Sequence, residues 1–187
     1  VFLRDRDFYP GVLLTQVVLF GLVIRFAALY TAPGFIGIDV WSHVTYSEAI
    51  ARSNSLSGIS ESKYYASPFY HLLVVSAARL LDLSLRNGLY LTLGIVVPLS
   101  VVLVYEAATT LVSPRWAAFA ATAYVVSDHA IRWGIHLIPT SMGLVFFLGI
   151  LFGLTHVLQR NHRLRDYGLL VFFSAAVILT HQISSFI

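Results

Sequence analysis

The sequence predicts an all-α fold, a polytopic bundle of transmembrane helices, and two observations carry that prediction. The chain has only 12 Lys and Arg and 9 Asp and Glu among its 187 residues, whereas about a quarter of a soluble domain is charged. Uncharged runs close to the spanning length of about 20 residues occur at 8–24, 87–105, 133–159 and 167–187. With a mean hydropathy of +0.79, these features exclude an ordinary soluble domain.

The chain begins at Val1 and stops at Ile187 inside an apolar run. We therefore expect residues 1–187 to be the N-terminal part of a single transmembrane domain. Cys is absent, which excludes disulfides and thiolate metal sites. The net charge of +3 is small and the basic residues are dispersed, so nothing indicates nucleic-acid binding.

The first predicted span covers residues 11–31. Pro10 stands where a helix can begin without losing a hydrogen bond, and Phe8 is typical of the membrane interface. A helix breaker at residues 30–34 ends the span, and the composition then changes to Ser, Gly, Asn and Glu. Residues 32–87 are predicted to form a long outer loop that contains interfacial helices.

Residues 68–85 can be interpreted as a short second span or as an amphipathic helix in the interface. Pro68 suits the first residue of a helix. A span would have to accommodate His71, Arg79 and Asp82 within a short apolar run. The interfacial helix fits the length and the charge better.

The positive-inside rule supports the interfacial helix, because cytoplasmic loops collect Arg and Lys. If residues 68–85 do not cross, six arginines fall on one side: Arg4, Arg6, Arg115, Arg160, Arg163 and Arg165. The chain then has about five spans of membrane-crossing type: 11–31, 88–110, 116–129, 140–158 and 167–187. The third is short, and we expect it to continue beyond residue 129.

The sharpest local feature is the segment 37–43, which opens the outer loop with Asp39 and His43. A helix can run from Asp39 to Arg52, and on it Asp39, His43 and Tyr46 share one face. A carboxylate and an imidazole four residues apart can hold a metal together or form an acid/base pair. The alternative is that Asp39 only caps the helix or lies in its first turn, with His43 in the interface.

A second candidate is the outer loop at 127–136, which carries Asp128, Arg132 and His136. A guanidinium offers paired donors that suit phosphate oxygens, so Arg132 is a candidate phosphate ligand. The alternative is an interfacial Arg beside Trp133, which is common at the ends of spans.

Polar groups inside the predicted spans form a third set. Arg25 lies in the first span, where a charge at the helix centre costs about 2.5 to 3.5 kcal/mol. It is expected either to snorkel outward or to pair with a lipid-linked phosphate. Glu106 is expected to be structural. A polar stripe around His181 in the last span either hydrogen-bonds to other helices or serves a function.

The order of these features resembles the N-terminal part of the GT-C glycosyltransferases, polytopic enzymes that include oligosaccharyltransferases, protein mannosyltransferases and bacterial aminoarabinose transferases. The resemblance lies in order and spacing and covers essentially all 187 residues. Six segments carry it: the acidic start of the outer loop (37–43), the end of the following helix (48–52), the start of the interfacial helix (68–70), a basic turn (113–117), the second outer loop (128–132) and the start of the next span (Pro139).

This resemblance implies an active centre at Asp39, with Asp128 and Arg132 as the acidic and basic residues of the second outer loop. The sequence departs from the pattern after Arg132, where His136 stands instead of a further carboxylate. The cofactor stays open between a divalent metal, with Asp39, His43 and His136 as the candidate ligands, and no metal at all.

The expected function is that of a multi-pass glycosyltransferase of the cell membrane whose active site faces outside. It would move a sugar from a polyprenyl-phosphate-linked donor to a protein, glycan or lipid acceptor. Asp39 would act as general base or metal ligand, and Arg132 with Arg25 would stabilise the leaving phosphate. His43, Asp128 and His136 complete the predicted substrate-binding set.

Two other classes of function stay open. In a transporter or lipid flippase, Arg25, Glu106 and His181 would face one cavity and Asp39 would be dispensable. Such a protein would also tend to have discontinuous helices at mid-membrane, and no paired Gly or Pro breaks stand out in the sequence. The third class is a non-catalytic membrane scaffold.

Overall fold

The computed structural model describes residues 8–159 and 163–180. These residues form α-helices and two short 3₁₀ helices, without a strand among them, so the predicted all-α fold is confirmed. The α-helices are α1 (Pro10–Thr31), α2 (Asp39–Ser53), α3 (Phe69–Leu80), α4 (Leu85–Leu99), α5 (Val101–Thr109), α6 (Pro114–Val126), α7 (Asp128–His136), α8 (Pro139–Gln159) and α9 (Leu164–Thr180). The 3₁₀ helices are η1 (Leu56–Ile59) and η2 (Lys63–Ala66).

Three helical segments of the described chain are long and apolar enough to cross a membrane: α1, the α4–α5 pair over Leu85–Thr109, and α8. By this measure the chain is a membrane protein, as predicted. These segments coincide with the predicted spans 11–31, 88–110 and 140–158. Helix α6 has 13 residues, and α9 has 17 among the described residues. His181 and its polar neighbours lie outside the described residues.

The end of α6 differs from the prediction. The predicted continuation of the third span beyond residue 129 is wrong, because α6 ends at Val126 and Ser127 is extended. The Ser127 hydroxyl accepts a hydrogen bond of 3.2 Å from the Ala130 amide and thereby caps a separate helix, α7.

Helix α1 faces the rest of the bundle along one narrow stripe. Its buried residues are Val17, Gly21, Arg25 and Ala28, spaced by three or four positions as one side of a helix requires. The other sides expose large apolar groups such as Val23. A span of this kind presents most of its surface to lipid.

Helices α4 and α5 follow each other with only Ser100 between them. Pro98 lies inside α4 and cannot donate a backbone hydrogen bond, and Ser100 interrupts the helix two residues later. The Ser100 hydroxyl donates to the Val97 carbonyl at 2.6 Å. The Ser100 amide still bonds to the Val96 carbonyl at 3.1 Å, so the backbone is not unwound at this residue.

Consecutive spans run in opposite directions, so that α1 is antiparallel to α4 and parallel to α6, as contacts at both ends of the bundle show. At one end, the Arg86 guanidinium at the start of α4 donates bonds of 2.7 Å to the Leu29 and Ala32 carbonyls at the end of α1. At the other end, the Arg115 guanidinium at the start of α6 lies 5.9 Å from the centre of the Phe8 ring. The end with Arg86, α2, α3 and α7 is called the loop end, and the end with Phe8 and Arg115 the opposite end.

The segment between α1 and α4 stays at the loop end. Helix α3 has 12 residues, a length of about 18 Å against a hydrocarbon thickness of about 30 Å. Because Arg86 contacts the carbonyls of Leu29, Ala32 and Gly34, the chain returns to the point where it left α1. Residues 68–85 therefore do not cross the bundle, and their location in the membrane interface stays a prediction.

Small residues let neighbouring spans approach closely. Helix α6 presents a face of alanines to α1 and α5. On α8, Gly149 and Gly153 face α9: an added Cβ would lie 2.5 Å from the Phe173 ring and 3.4 Å from Leu170, respectively. Such close packing is how helices associate in lipid, where no hydrophobic force favours their contact.

Candidate functional site

The start of α2 places Asp39 at the surface of the loop end. Asp39 is the first residue of the helix and its side chain is exposed. The chain enters α2 through Gly37, whose φ of +102° favours glycine. Within the described chain Asp39 forms no ion pair and no side-chain hydrogen bond. The partial positive charge at the helix N-terminus stabilises its carboxylate.

The turn that leads into α2 packs against the end of α7. A Cβ placed on Gly37 would lie 3.6 Å from Cγ of the His136 ring. His136 is the last residue of α7 and is partly buried. The two outer segments that the sequence predicts separately therefore meet, with Asp39 only two residues beyond the contact.

Helix α7 is amphipathic, and its polar face carries Asp128 and Arg132. These residues lie one turn apart and form an ion pair of 3.5 Å, with 85% and 62% of their side chains exposed. An exposed pair on one helix contributes about 0.3 to 0.5 kcal/mol. Arg132 can therefore exchange Asp128 for a stronger anionic partner such as a phosphate with little loss.

Arg25 of α1 holds the first half of α7. Its Nη2 donates to the Ala130 carbonyl at 2.9 Å, and its Nη1 donates to the Gly21 carbonyl at 3.1 Å. Gly134 makes room for this side chain, since an added Cβ would lie 2.5 Å from Arg25 Nε. A guanidinium from the first span thus fixes a helix more than one hundred residues away in sequence.

Tyr70 of α3 holds the other end of α7. Its hydroxyl donates to the Leu137 carbonyl at 2.7 Å. Leu137 has a φ of 51°, which is rare for a leucine, and it is buried. Next to it, the Ser141 hydroxyl donates to the Trp133 carbonyl at 2.6 Å. Burial raises the pKa of Tyr70, so its hydroxyl remains a donor across the physiological range.

Arg25 is therefore placed differently from both predictions. Its side chain is only 1% exposed, which shows that it does not snorkel outward. Its guanidinium bonds two backbone carbonyls, and Nε is buried without a hydrogen-bond partner in the described chain. The predicted direct contact with a lipid phosphate is not available in this packing. Arg25 is a residue that positions α7.

His43 turns away from Asp39 and pairs with His71 of α3. His43 Nδ1 lies 3.1 Å from His71 Nε2, and both rings are buried. Three tyrosine rings surround the pair, with centres 4.8 to 6.3 Å from that of His43: Tyr46, Tyr64 and Tyr70. Burial, and to a smaller extent the His43 ring, lowers the pKa of His71 to about 3. His71 is therefore neutral at pH 7, and this pair joins α2 to α3.

The metal-ligand set predicted from the sequence is not assembled by these side chains. Asp39 is exposed, whereas His43 faces His71 in the interior. Across residues 8–159 and 163–180, no three His, Asp or Glu side chains converge on a point that could hold a metal ion. What the loop end does bring together is the Gly37 turn before Asp39 and the His136 ring at the end of α7.

Several residues that build the loop end were missed by the sequence reasoning, chiefly Tyr70, His71 and Arg86. The buried positions of α3 are 70, 71, 74, 75 and 78, which is a helical stripe, so hydrophobic periodicity could have placed Tyr70 and His71 inside. Arg86 had no such signal, because its partners are backbone carbonyls more than 50 residues earlier.

A cavity of about 300 Å³ lies between α1 and α4 beside Arg86. Its walls are mostly apolar, with a few polar side chains among them: Phe26, Leu29, Tyr30, Leu83, Arg86, Asn87, Tyr90 and Leu91. The Arg86 guanidinium lies 5.7 Å from the centre of the Tyr90 ring. A mostly apolar cavity with a few polar groups is typical of sites for amphipathic ligands.

Comparison with known proteins adds no family to this description. No protein-family model matches the chain, and no curated protein or solved structure matches it significantly. The functional conclusion therefore depends on the arrangement of residues at the loop end.

Proposed function

We propose that the chain belongs to a membrane glycosyltransferase that transfers a sugar from a polyprenyl-phosphate-linked donor to a protein, glycan or lipid acceptor. The contact of Gly37 with His136 carries this proposal, because it unites the two segments whose side chains suit the chemistry. The order of elements along the chain, which resembles that of GT-C glycosyltransferases, supports it as an analogy.

Asp39 supplies the base in this proposal. Its exposed carboxylate accepts the proton of the acceptor hydroxyl while that oxygen forms a bond with C1 of the donor sugar. The bond between C1 and the phosphate oxygen breaks, and the phosphate leaves with the electron pair. An acceptor that approaches from water reaches Asp39 without crossing the bundle.

Helix α7 supplies positive charge for the leaving phosphate. The Arg132 guanidinium is exposed and can donate to two phosphate oxygens. His136, beside Gly37, supplies a further donor. Negative charge builds up on the phosphate in the transition state, so donors that are already in place lower the barrier. Arg25 and Tyr70 act through α7 by fixing its position.

The cavity between α1 and α4 suits the lipid part of the donor. Its apolar walls accept isoprenoid chain, and Arg86 provides a charged group at the loop end. Because α1 exposes most of its surface, a lipid can reach this cavity laterally from the bilayer.

We place the loop end outside the cell and assign α6 and α9 as further spans. The described basic residues near the opposite end flank short connections, as the positive-inside rule requires of cytoplasmic ends: Arg115 is in the first turn of α6, Arg163 directly precedes α9 and Arg165 is in the first turn of α9. At the loop end, four arginines have local partners: Arg52 with Glu48, Arg132 with Asp128, Arg79 with the Ala51 carbonyl and Arg86 with the end of α1.

A transporter or flippase fits the arrangement less well. A transporter of the kind predicted requires Arg25 and Glu106 to face one cavity. The Arg25 side chain is instead buried against α7 at the loop end. Glu106 is exposed on α5, next to Tyr105, which packs against Val17 toward the opposite end. The Ser100 amide bonds to the Val96 carbonyl and the Ser100 carbonyl accepts from the Val104 amide, unlike the backbone of the unwound helices in many transporters.

The test is the transfer of a labelled sugar from a polyprenyl-phosphate donor by the protein in lipid vesicles. Asp39→Asn is expected to lower the rate at least about 100-fold, the usual contribution of a general base. Asp82→Asn is the matched control, because Asp82 is also exposed and its φ of 51° is tolerated by Asn. Equal rates for the two variants would contradict the role of Asp39. If the unmodified protein transfers no sugar from any donor, a transporter or a scaffold is favoured.

A further inference from the structure

A second cleft, of about 450 Å³, lies between α2 and η1. Its lining is mainly polar, with serine hydroxyls, one carboxylate and one phenol ring: Tyr46, Ser57, Gly58, Ile59, Ser60, Glu61 and Ser62. None of these residues belongs to the site around Asp39 and α7. The volume lies within the range of about 300 to 1,000 Å³ that is typical of small-ligand sites.

The wall formed by η1 is fixed to α2, so the cleft is preformed. Ile59 is only 3% exposed and packs with Ile50 of α2 and Val75 of α3. Gly58 lies so close to α2 that an added Cβ would be 2.7 Å from the Ala49 carbonyl oxygen. A preformed cleft binds a ligand without the entropic cost of ordering a loop.

The chemistry of the lining selects the occupant. Among the described lining residues Glu61 alone is charged, so a phosphate or another anion would be repelled. One carboxylate is too few for Ca²⁺, which takes six or more oxygen ligands. An apolar ligand would cover the hydroxyls of Ser57 and Ser60 without offering them hydrogen bonds, at a cost in free energy. A neutral molecule with many hydroxyl groups satisfies both donors and acceptors.

We infer that this cleft binds a neutral saccharide, the glycan part of an acceptor. The Tyr46 ring provides an apolar face for a sugar ring. The hydroxyls of Ser57 and Ser60 and the Glu61 carboxylate hydrogen-bond to the sugar hydroxyls.

The position of the cleft relates it to the proposed active site. Tyr46 follows Asp39 by seven residues on α2, which is two turns along one face and about 10 Å. A short oligosaccharide seated at Tyr46 reaches Asp39. The role as acceptor rests on the proposed glycosyltransferase function, whereas saccharide binding itself does not.

Saturation-transfer NMR on the full chain in lipid nanodiscs, prepared without glycoside detergents, tests the binding. The probes are maltose, lactose and chitobiose, with glucuronic acid as the anionic comparison. We expect saturation transfer to at least one disaccharide and none to glucuronic acid. Glu61→Gln is expected to weaken binding about tenfold, the effect of a hydrogen bond to a charged group. Glu48→Gln removes an exposed carboxylate of α2 outside the cleft and is the control.

A second variant blocks the cleft without touching the interior. Ser60 is exposed, so Ser60→Trp fills the cleft, and Ser42→Trp places the same side chain on an exposed position of α2 elsewhere. Binding should be lost in Ser60→Trp and kept in Ser42→Trp. Saturation transfer to no disaccharide, or equal binding in Ser60→Trp and Ser42→Trp, would overturn the inference. Saccharide binding without any sugar transfer would support the cleft and contradict only the proposed transferase.

Discussion

The loop end and the α8–α9 contact are held together by different interactions. At the loop end, buried or partly buried polar side chains bond to backbone carbonyls: Arg25 to Ala130, Tyr70 to Leu137 and Arg86 to Leu29. Between α8 and α9, Gly149 lets the Phe173 ring approach the backbone. Close packing is sufficient where the backbone hydrogen bonds of both helices are already formed within each helix. Short helices and turns leave backbone groups without such partners, so hydrogen bonds from side chains are needed to hold their position.

The largest expected effect is at the α8–α9 contact. Gly149→Val would force a side chain into the Phe173 ring, which a Cβ would approach to 2.5 Å, and we expect a loss of about 3 kcal/mol of unfolding free energy from overpacking. Gly168→Val on α9 is the control, because an added Cβ there meets nothing within 4 Å. Denaturant unfolding in micelles measures both variants. Equal stabilities would show that the close approach is not what holds the two helices together.

The next effect is a loss of loop-end stability in acid. The folded-state pKa of His71, about 3, lies below the ordinary value of 6.5 because of burial and His43. Below pH 6.5 the unfolded chain therefore binds a proton that the folded chain does not bind. The free energy of unfolding consequently decreases as the pH is lowered. We expect a loss of about 2 kcal/mol between pH 6.5 and 4.5 from this one group.

Unfolding curves across that pH range provide the measurement. The variant His71→Phe removes the titrating ring, and its stability should fall less steeply with pH than that of the unmodified chain. Parallel pH dependence in the two proteins would show that the His43–His71 pair does not sense pH.

A smaller effect is expected at the end of α7. Tyr70→Phe leaves the buried Leu137 carbonyl without its 2.7 Å hydrogen bond, a loss of about 1 to 2 kcal/mol. Tyr65→Phe, at an exposed tyrosine, should change stability little. Hydrogen exchange should speed up in α7 for Tyr70→Phe and stay unchanged in the α8–α9 contact. Faster exchange spread evenly over the chain would contradict a local role for Tyr70.

The smallest effect is at the exposed pair on α7. Asp128→Asn removes the 3.5 Å contact with Arg132 and should change the unfolding free energy by no more than about 0.5 kcal/mol. Denaturant unfolding in micelles should place its stability close to that of the unmodified protein. A larger loss would mean that Asp128 contributes more to the fold than an exposed ion pair.

Hydropathy and helix-breaking residues predicted the helical architecture well, because each span is a run of many consecutive apolar residues. Pro10 and the composition change after Thr31 mark α1 closely. The end of α6 was missed because its 13 residues are fewer than a span needs, so the span was expected to continue, whereas Ser127 caps a separate helix. Local composition reports length and burial but not where one turn separates two helices.

The candidate site was harder to predict, because its contacts join distant parts of the chain. The proximity of Asp39 and α7 depends on the packing of Gly37 against His136, nearly one hundred residues later. The partner of His43 is on α3, 28 residues away, although the helical spacing suggested Asp39. The burial of Arg25 likewise depends on Gly134, whose absent side chain leaves space that no local pattern reveals.

The most direct measurement is a double-mutant cycle on sugar transfer with Asp39→Asn, His136→Gln and the two combined. If the loop before α2 and the end of α7 form one site, both residues act on one transition state and their effects on kcat/KM are not additive. We expect the double variant to transfer sugar little more slowly than Asp39→Asn alone. Fully additive effects, or transfer unchanged by either substitution, would contradict a shared site at the loop end.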